Sequence, residues 1–544
     1  MGFSANFNKL SQQFGKDGIG EACRTLEELL IESKLLVNRS AVLPGHIQIL
    51  HGVIENLCSD VTLWCNADRN SDQNNNNVTC LELALKLARN LCAEVQANQA
   101  MICDSPIVGV VLGMMEGVVT RKALPRLEDV AIAGLQLLGN VCVEYSAGQE
   151  KVWTLMFPSM FCKLLSEEST AVSEMCYMIA HNCTLHHVDN MKNLCSNEEL
   201  TDILWSQILT SKAELEWGLL LLEQAITSGF IGTIYLALES RNSQLHLTLL
   251  EVVLDKIGDS NSCALPEELP EGNKLCYVDA GDVMFLAKQF EKCAAANSDM
   301  NEINKNYKIL MSLLHLLNSL SLQLNNLKLL QQFPQLLESA AGLLQTLCVQ
   351  DGTADSAQNK TNLRDVTVLR DDFDYPLFGL KKNLVRLLGN LCYGDRSNQD
   401  KLTVFSSTSI VSVADVIVLA QVPKVAAPSL GCGISQYYYI TERNSCFVKC
   451  YHTKDDPVCT QECSLHTMIR ECGAIMLLLN QCSIDDSNPY IQQWTIWAVR
   501  NICHDNEENQ KMIKSLENHG LTNDTPVMGL QVEVGDDGKL KAKR

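Results

Sequence analysis

The chain has 544 residues, 46% of them hydrophobic, with 43 Lys and Arg against 64 Asp and Glu, a net charge of −21. So acidic a balance disfavours phosphate backbones and anionic bilayers, which require a basic footprint, and leaves proteins as the expected partners, with no nucleic acid and no membrane insertion. The opening MGFSANFNKL lacks the charged flank and apolar core of a secretory signal, so the 24 cysteines are expected as reduced thiols in a cytoplasmic compartment.

From residue 1 to 258 the text is dense helix broken by polar loops, among them the four consecutive asparagines within 66–79. Two segments in this stretch, ALKLARNLCAEVQANQAMI from Ala84 and GLQLLGNVCVEYSAGQEKV from Gly134, share one frame with MCYMIAHNCTLHHVDNMKNL from Met175. Further along, LVRLLGNLCYGDRSNQDKL from Leu384 and WAVRNICHDNEENQKMI from Trp497 repeat it. The anchors are Asn90, Asn140, Asn182, Asn390 and Asn501, and eight residues later stand Asn98, Gly148, Asn190, Asn398 and Asn509, with Gln next in four of the five. Separations of 50 and 42 residues between the first three anchors are close to the roughly 40 to 47 of armadillo and HEAT repeats, with the longer one implying a longer loop. Leu384, Leu387, Leu388 and Leu391 form one stripe at the helical period, which predicts an amphipathic helix with Asn390 at the stripe's edge. An amide placed there needs partners, so each anchor is expected to hydrogen-bond the backbone of an adjacent turn or of the neighbouring repeat. Cys92, Cys142, Cys183, Cys392 and Cys503 follow the anchors as small apolar packers. The expected fold is therefore all-α, an armadillo/HEAT-like right-handed α-solenoid.

Residues 259–281, with Pro266, Pro270 and Gly272, are expected as a linker between N-terminal repeats and C-terminal repeats over 282–401. The stripe resumes in 309–330 with a degenerate anchor at Asn318. The stretch 402–468 differs in kind, being β-branched and then aromatic and cysteine-rich, and is expected as an irregular insertion. Asn390 and Asn501 lie 111 residues apart, and removing those 67 residues leaves 44, a repeat length. Repeats then return over 469–516, and the tail 517–544 is expected to turn a small hairpin around Gly535 to Gly538.

Residues 378–401, with ECGAIMLLLNQCSIDDSNPYIQQWTIWAVRNICHDNEENQKMI from Glu471, closely resemble the C-terminal domain of the ataxin-10 family, placed here at 378–401 plus 469–530. The distinctive residues are Asp485, Asp486, Asn488 and Pro489 between two helices, followed by Trp494, Arg500 and Asn501. The insertion 402–468 is absent from the family pattern at this place. The resemblance implies a non-enzymatic, armadillo-like interaction scaffold acting in cytokinesis and in neuronal survival and neurite outgrowth. It further implies self-association into a homo-oligomer, and an O-linked sugar transferase and a G-protein β-subunit as partners. A cytoplasmic, perinuclear or division-midbody location goes with that picture.

Other chemistries read more weakly. Asp485, Asp486 or Ser487 is expected to cap the helix through Trp494, with Pro489 in its first turn. Trp497 and Asn501 lie four apart, the pairing that peptide-binding transport adaptors use, but Lys86, Gln136, Met178 and Arg386 occupy the tryptophan position elsewhere. Cys446, Cys450, Cys459 and Cys463 make the alternative of a zinc-binding protein, with only eight residues between the pairs, a cramped spacing. His181, Cys183, His186 and His187 also cluster, at the end of a repeat helix, where histidines usually meet carbonyls or solvent. No phosphate-cradling glycine loop, nucleophile elbow or two-histidine zinc helix occurs, so no cofactor and no catalysis are expected.

Overall fold

The computed structural model describes residues 2–14, 19–64, 72–119, 125–167, 169–211, 215–239, 243–257, 278–296, 300–354, 377, 379–404, 441–442, 445–446, 473–479, 481, 488–515, 532–534 and 540–542. Two units emerge, Met1–Leu336 and Leu337–Arg544.

The first unit is a stack of helices that recur in threes. Its elements begin with α1 (Phe3–Phe14), α2 (Ile19–Glu32), the short α3 (Leu36–Arg39), α4 (Pro44–Trp64) and α5 (Asp72–Cys92). Then come α6 (Gln96–Asp104), α7 (Ile107–Val119), α8 (Pro125–Cys142), α9 (Ser146–Met156), α10 (Ser159–Leu165) and α11 (Thr170–Thr184). They continue with α12 (Val188–Ser196), α13 (Glu198–Thr210), α14 (Glu216–Thr227), α15 (Ile231–Glu239), α16 (Ser243–Ile257), α17 (Ala280–Ala296), α18 (Met300–Leu320) and α19 (Leu324–Gln331). Every third helix packs on the next of its kind: α2 on α5, α5 on α8, α8 on α11 and α11 on α14, while α4, α7, α10, α13 and α16 form a second row. Repeats of three helices are the armadillo arrangement, in which each unit contacts mainly its neighbours.

The row containing α5, α8 and α11 carries the asparagine anchors. In α8, Leu127, Val130, Ala131, Ala133, Leu135, Leu137, Leu138 and Val141 are all buried, so the helix is apolar around most of its circumference. A helix flanked on both sides by its counterparts in adjacent repeats must read that way rather than as a single stripe.

The segment 259–281 is not the domain boundary that its composition suggests. Unit 1 runs through it to Leu336. Helix α16 packs on α18, α15 packs on α17, and α17 already starts at Ala280, so the repeat packing bridges the polar stretch. Residues 258–277 themselves lie outside the described residues.

In the second unit, which takes most of α20 (Pro334–Ala354), the elements are α21 (Leu380–Leu391), α22 (Arg396–Val404), α23 (Gly473–Leu479), α24 (Ile491–Cys503) and α25 (Glu507–Ser515). Two short antiparallel pairs accompany them, β1 (Thr441–Glu442) with β2 (Ser445–Cys446), and β3 (Val532–Val534) with β4 (Leu540–Ala542). The second is the hairpin expected around Gly535 to Gly538, with Val534 opposite Leu540. Helices α21 and α24 pack together so closely that a Cβ on Gly389 would stand 2.9 Å from the Cα of Ala498. Helix α22 runs on to Val404 with Leu402 fully buried, which moves the start of the interruption past the expected Leu402. Most of 402–468 lies outside the described residues.

Candidate functional site

An α-helix ends with four carbonyls that have no partner of their own. The repeat motif answers that requirement with side-chain amides. In three anchor helices the carbonyl just before the anchor accepts from the next repeat's anchor: Asn140 Nδ2 donates to Arg89 O at 3.0 Å, Asn182 Nδ2 to Gly139 O at 3.4 Å and Asn501 Nδ2 to Gly389 O at 3.0 Å. The anchor's own carbonyl accepts from the preceding repeat's glutamine: Gln99 Nε2 to Asn140 O at 2.7 Å, Gln149 to Asn182 O at 2.9 Å, Gln399 to Asn501 O at 3.0 Å. The carbonyl after the anchor accepts from the asparagine eight positions on: Asn98 to Leu91 O at 2.8 Å, Asn190 to Cys183 O at 2.9 Å, Asn398 to Leu391 O at 3.0 Å and Asn509 to Ile502 O at 3.0 Å. Two of the three bonds cross between repeats. Asn90, at the start of the series, donates instead to Ser33 Oγ at 3.2 Å, and Asn390 sits half-buried at the end of α21.

The bonds joining Asn390's helix to Asn501's repeat those joining Asn90's helix to Asn140's, although 111 residues separate one pair and 50 the other. Helices α22, α23 and α24 thus complete one ordinary repeat, and the long interruption enters between its first and second helices.

Two features of this motif escaped the sequence reading. Four residues after each anchor the backbone is left-handed, at Glu94 (φ 59°), Glu144 (φ 51°), His186 (φ 65°), Gly394 (φ 63°) and Asp505 (φ 53°). That conformation turns the chain out of the helix so that the side chain at position eight can reach back. Because only one repeat spells it with glycine, the usual signal is missing. Gly148, the apparent lapse in the asparagine series, is the second: a Cβ there would lie 2.3 Å from Val141 O, the very carbonyl that the asparagine caps in other repeats. The helix packs directly where a side chain otherwise intervenes.

The thiols after the anchors behave as packing atoms. Cys92, Cys142, Cys183 and Cys392 are fully buried, with Cys142 and Cys183 sulfurs 3.6 Å apart, and burial raises the pKa of Cys92, Cys142, Cys392 and Cys503. Such thiols stay protonated and unreactive at neutral pH. The histidines near Asn182 diverge: His181 meets the edge of Trp217 at 5.7 Å, His187 Nε2 pairs with Gln149 Oε1 at 2.9 Å, and His186 takes the left-handed turn. Among the described residues no group of three His, Cys, Asp or Glu side chains has metal-site geometry. Of the zinc candidates, Cys446 lies in β2, and Cys450, Cys459 and Cys463 lie outside the described residues.

The DDSNP turn works differently from the local cap expected of it. Pro489 precedes α24 rather than sitting in its first turn, and the residue before the helix, Tyr490, is left-handed (φ 67°) and offers no side-chain cap. Ile491 N–H donates to Asn488 O at 3.1 Å, closing a turn with proline second and a left-handed residue third. Asn488 Oδ1 instead accepts from Lys382 N–H at 3.2 Å and so caps α21, 106 residues earlier. Asp485 and Asp486 lie outside the described residues. The same device recurs in unit 1. Glu174 accepts from Trp217 N–H at 2.9 Å at the start of α14, and the buried carboxylate of Asp282 accepts from Ile231 and Gly232 N–H, both at 2.9 Å, at the start of α15. Burial raises the pKa of Asp282 while these two amides oppose the shift.

On α24, Trp494 and Trp497 are half-buried and each carries a guanidinium, Arg386 of α21 at 4.6 Å and Arg500 at 5.1 Å from the ring centres. Asn501, which a transport adaptor would present to a peptide, is buried with its amide on Gly389 O. The tryptophan–asparagine pairing therefore lacks its hydrogen-bonding half.

Helices in threes whose anchor row exchanges amide-to-carbonyl bonds from repeat to repeat define an armadillo-like helical repeat protein. The Spinocerebellar ataxia type 10 protein domain matches residues 458–543. Ataxin-10 of Homo sapiens is 25% identical over 540 residues, covering 96% of this chain and 94% of that protein, and Ataxin-10 of Xenopus tropicalis is 24% identical over 468 residues, 84% and 79%. Over 77 residues, 14% of this chain and 13% of its own, the Ataxin-10 homolog of Dictyostelium discoideum is 46% identical. The chain is thus similar to Ataxin-10 proteins over nearly its whole length, and its residues 458–543 match their family domain. The domain match starts inside 402–468, so the portion of that stretch from 458 onward is shared with the family domain, and it leaves 378–401 outside.

Proposed function

We propose that this protein is a non-enzymatic scaffold of the ataxin-10 type, which recruits other proteins along its repeat surface and acts in cytokinesis and in neuronal survival and neurite outgrowth. The observation that carries the binding role is the continuous row α2, α5, α8, α11 and α14 in unit 1, an extended surface held in register by side-chain amides. A rail of this kind binds by complementarity across several repeats, with affinity concentrated in a few aromatic and arginine side chains. The biological roles rest on that similarity, as do a cytoplasmic location, including the perinuclear region and the midbody, and partners such as an O-linked sugar transferase and a G-protein β-subunit. The full chain, immobilised and exposed to lysate of dividing cells, is expected to retain a reproducible set of proteins that heat-unfolded chain does not. Retention no better than that of the unfolded control would refute the scaffold reading.

A further inference from the structure

The anchor helices of the two units differ in charge. In unit 1 they carry acids, Glu82 on α5, where Lys86 and Arg89 also stand, Glu128 and Asp129 on α8 and Glu174 on α11, and α14 of the same row carries Glu216 and Glu223. Helices α21 and α24 carry no Asp or Glu and have four cations, Lys381, Lys382, Arg386 and Arg500, in a chain whose net charge is −21. A reversal this local in so acidic a protein needs a reason.

The two helices lie side by side and parallel: Lys382 meets Asn488, Arg386 meets Trp494, and Gly389 meets Ala498. Lys382 and Arg386 are one turn apart on α21 and share a face. Burial and the neighbouring Arg386 both lower the pKa of Lys382, so a half-buried ammonium is held beside a like charge. An anion arriving there relieves the repulsion. Trp494 and Trp497 stand on α24, and Tyr490, in the turn just before it, is 71% exposed although its left-handed backbone is strained for a bulky residue. Ile496 is 59% exposed on the same helix. Buried cores do not account for such residues, whereas aromatic and arginine side chains of this kind anchor protein interfaces.

We propose that α21 and α24 form a docking surface for an acidic peptide segment of a partner protein, with Lys382 and Arg500 meeting its carboxylates and Tyr490, Trp494 and Trp497 holding its apolar side chains. This deepens the scaffold reading and rests on it. Charge complementarity selects the occupant, since four cations and no acid stand on these two helices in a chain whose net charge is −21.

The test uses the full chain and a fluorescein-labelled twelve-residue peptide of alternating Glu and Leu, with the Lys-for-Glu peptide as control, read by anisotropy. Saturable binding of the acidic peptide alone is expected, weakened at least tenfold in Lys382→Glu/Arg500→Glu and in Arg500→Glu, and unchanged in the exposed control Lys192→Glu/Lys308→Glu. Circular dichroism confirms that each variant is folded. The proposal is overturned by no saturable binding to wild type, by equal binding to the control peptide, or by equal loss in Lys192→Glu/Lys308→Glu. It is also overturned if Arg500→Glu abolishes concentration-dependent self-association or binding to phosphatidylserine vesicles while acidic-peptide affinity is untouched. If wild type and Arg500→Glu retain the same lysate proteins, the surface is refuted and scaffolding stands. If wild type retains none, scaffolding itself fails.

Discussion

Asn501 closes two hydrogen bonds that hold the last full repeat in place: its amide donates to Gly389 O, and its carbonyl accepts from Gln399. Replacing it with alanine leaves a helix-terminal carbonyl buried and unpartnered, so Asn501→Ala is expected to lower stability by about 1 to 3 kcal/mol in urea titration. An unchanged midpoint would show that water satisfies Gly389 O equally well. The left-handed turn residues permit the opposite experiment. Glu144 holds a backbone conformation that disfavours side chains, and Glu144→Gly is expected to stabilise by about 0.5 to 1 kcal/mol once the glycine's greater unfolded-state freedom is set against the relieved strain. Gly394 already makes that choice in its own repeat. The asparagine spacing was legible from the text because it recurs in four of the five copies, but its meaning was only half legible. That the amides serve helix C-termini follows from distances, and the left-handed position was hidden because four unrelated residue types occupy it.

At the scale of the element, helix starts are capped from afar. The residues preceding α14 and α21, Leu215 and Gly379, supply no capping side chain, and the groups that do the work, Glu174 and Asn488, come from other helices or turns. Asp282→Ala, which strands two amides at the start of α15, is expected to cost about 1 to 3 kcal/mol, measured as a lower thermal midpoint of the full chain. Local capping rules read a few residues ahead of a helix, so they cannot find a partner 43, 50 or 106 residues away. The interruption after α22 shows the complement. Sequence arithmetic gives reason to expect it, and the recurring bond pattern across it shows that the repeat closes without its help. Deleting 405–457, which spares buried Leu402 and the family domain match, is therefore expected to preserve helical circular dichroism and cooperative unfolding. Collapse of the helical signal would make the stretch integral to the stack.

For the molecule as a whole, pH is expected to act through buried and half-buried histidines. Burial lowers the pKa of His46, His181 and His246, so the folded chain binds fewer protons than the unfolded chain near the ordinary histidine value. The stability they contribute is complete above about pH 6.5 and is lost as pH falls through that value toward their folded pKa. Asp282 and Glu174, raised by burial, act in the opposite sense at lower pH, where protonation favours the folded state. A urea midpoint that falls between pH 7.5 and 6.0, and falls less in His181→Gln/His246→Gln, is the expected outcome. A pH-independent midpoint over that window would remove the histidines from the account.

The text alone determined that the chain is a helical repeat protein, because apolar periodicity and a recurring polar spacing are local properties written in every copy. It also gave reason to expect an interruption, since repeat length is a count. Only the tertiary structure decided that the repeats come in threes, that 259–281 is bridged rather than a boundary, and that helix ends are capped by distant side chains. Those facts depend on which surfaces meet after folding. The basic, aromatic face of α21 and α24 belongs with them, for Arg386 and Trp494 are far apart along the chain and adjacent only once two anchor helices lie side by side.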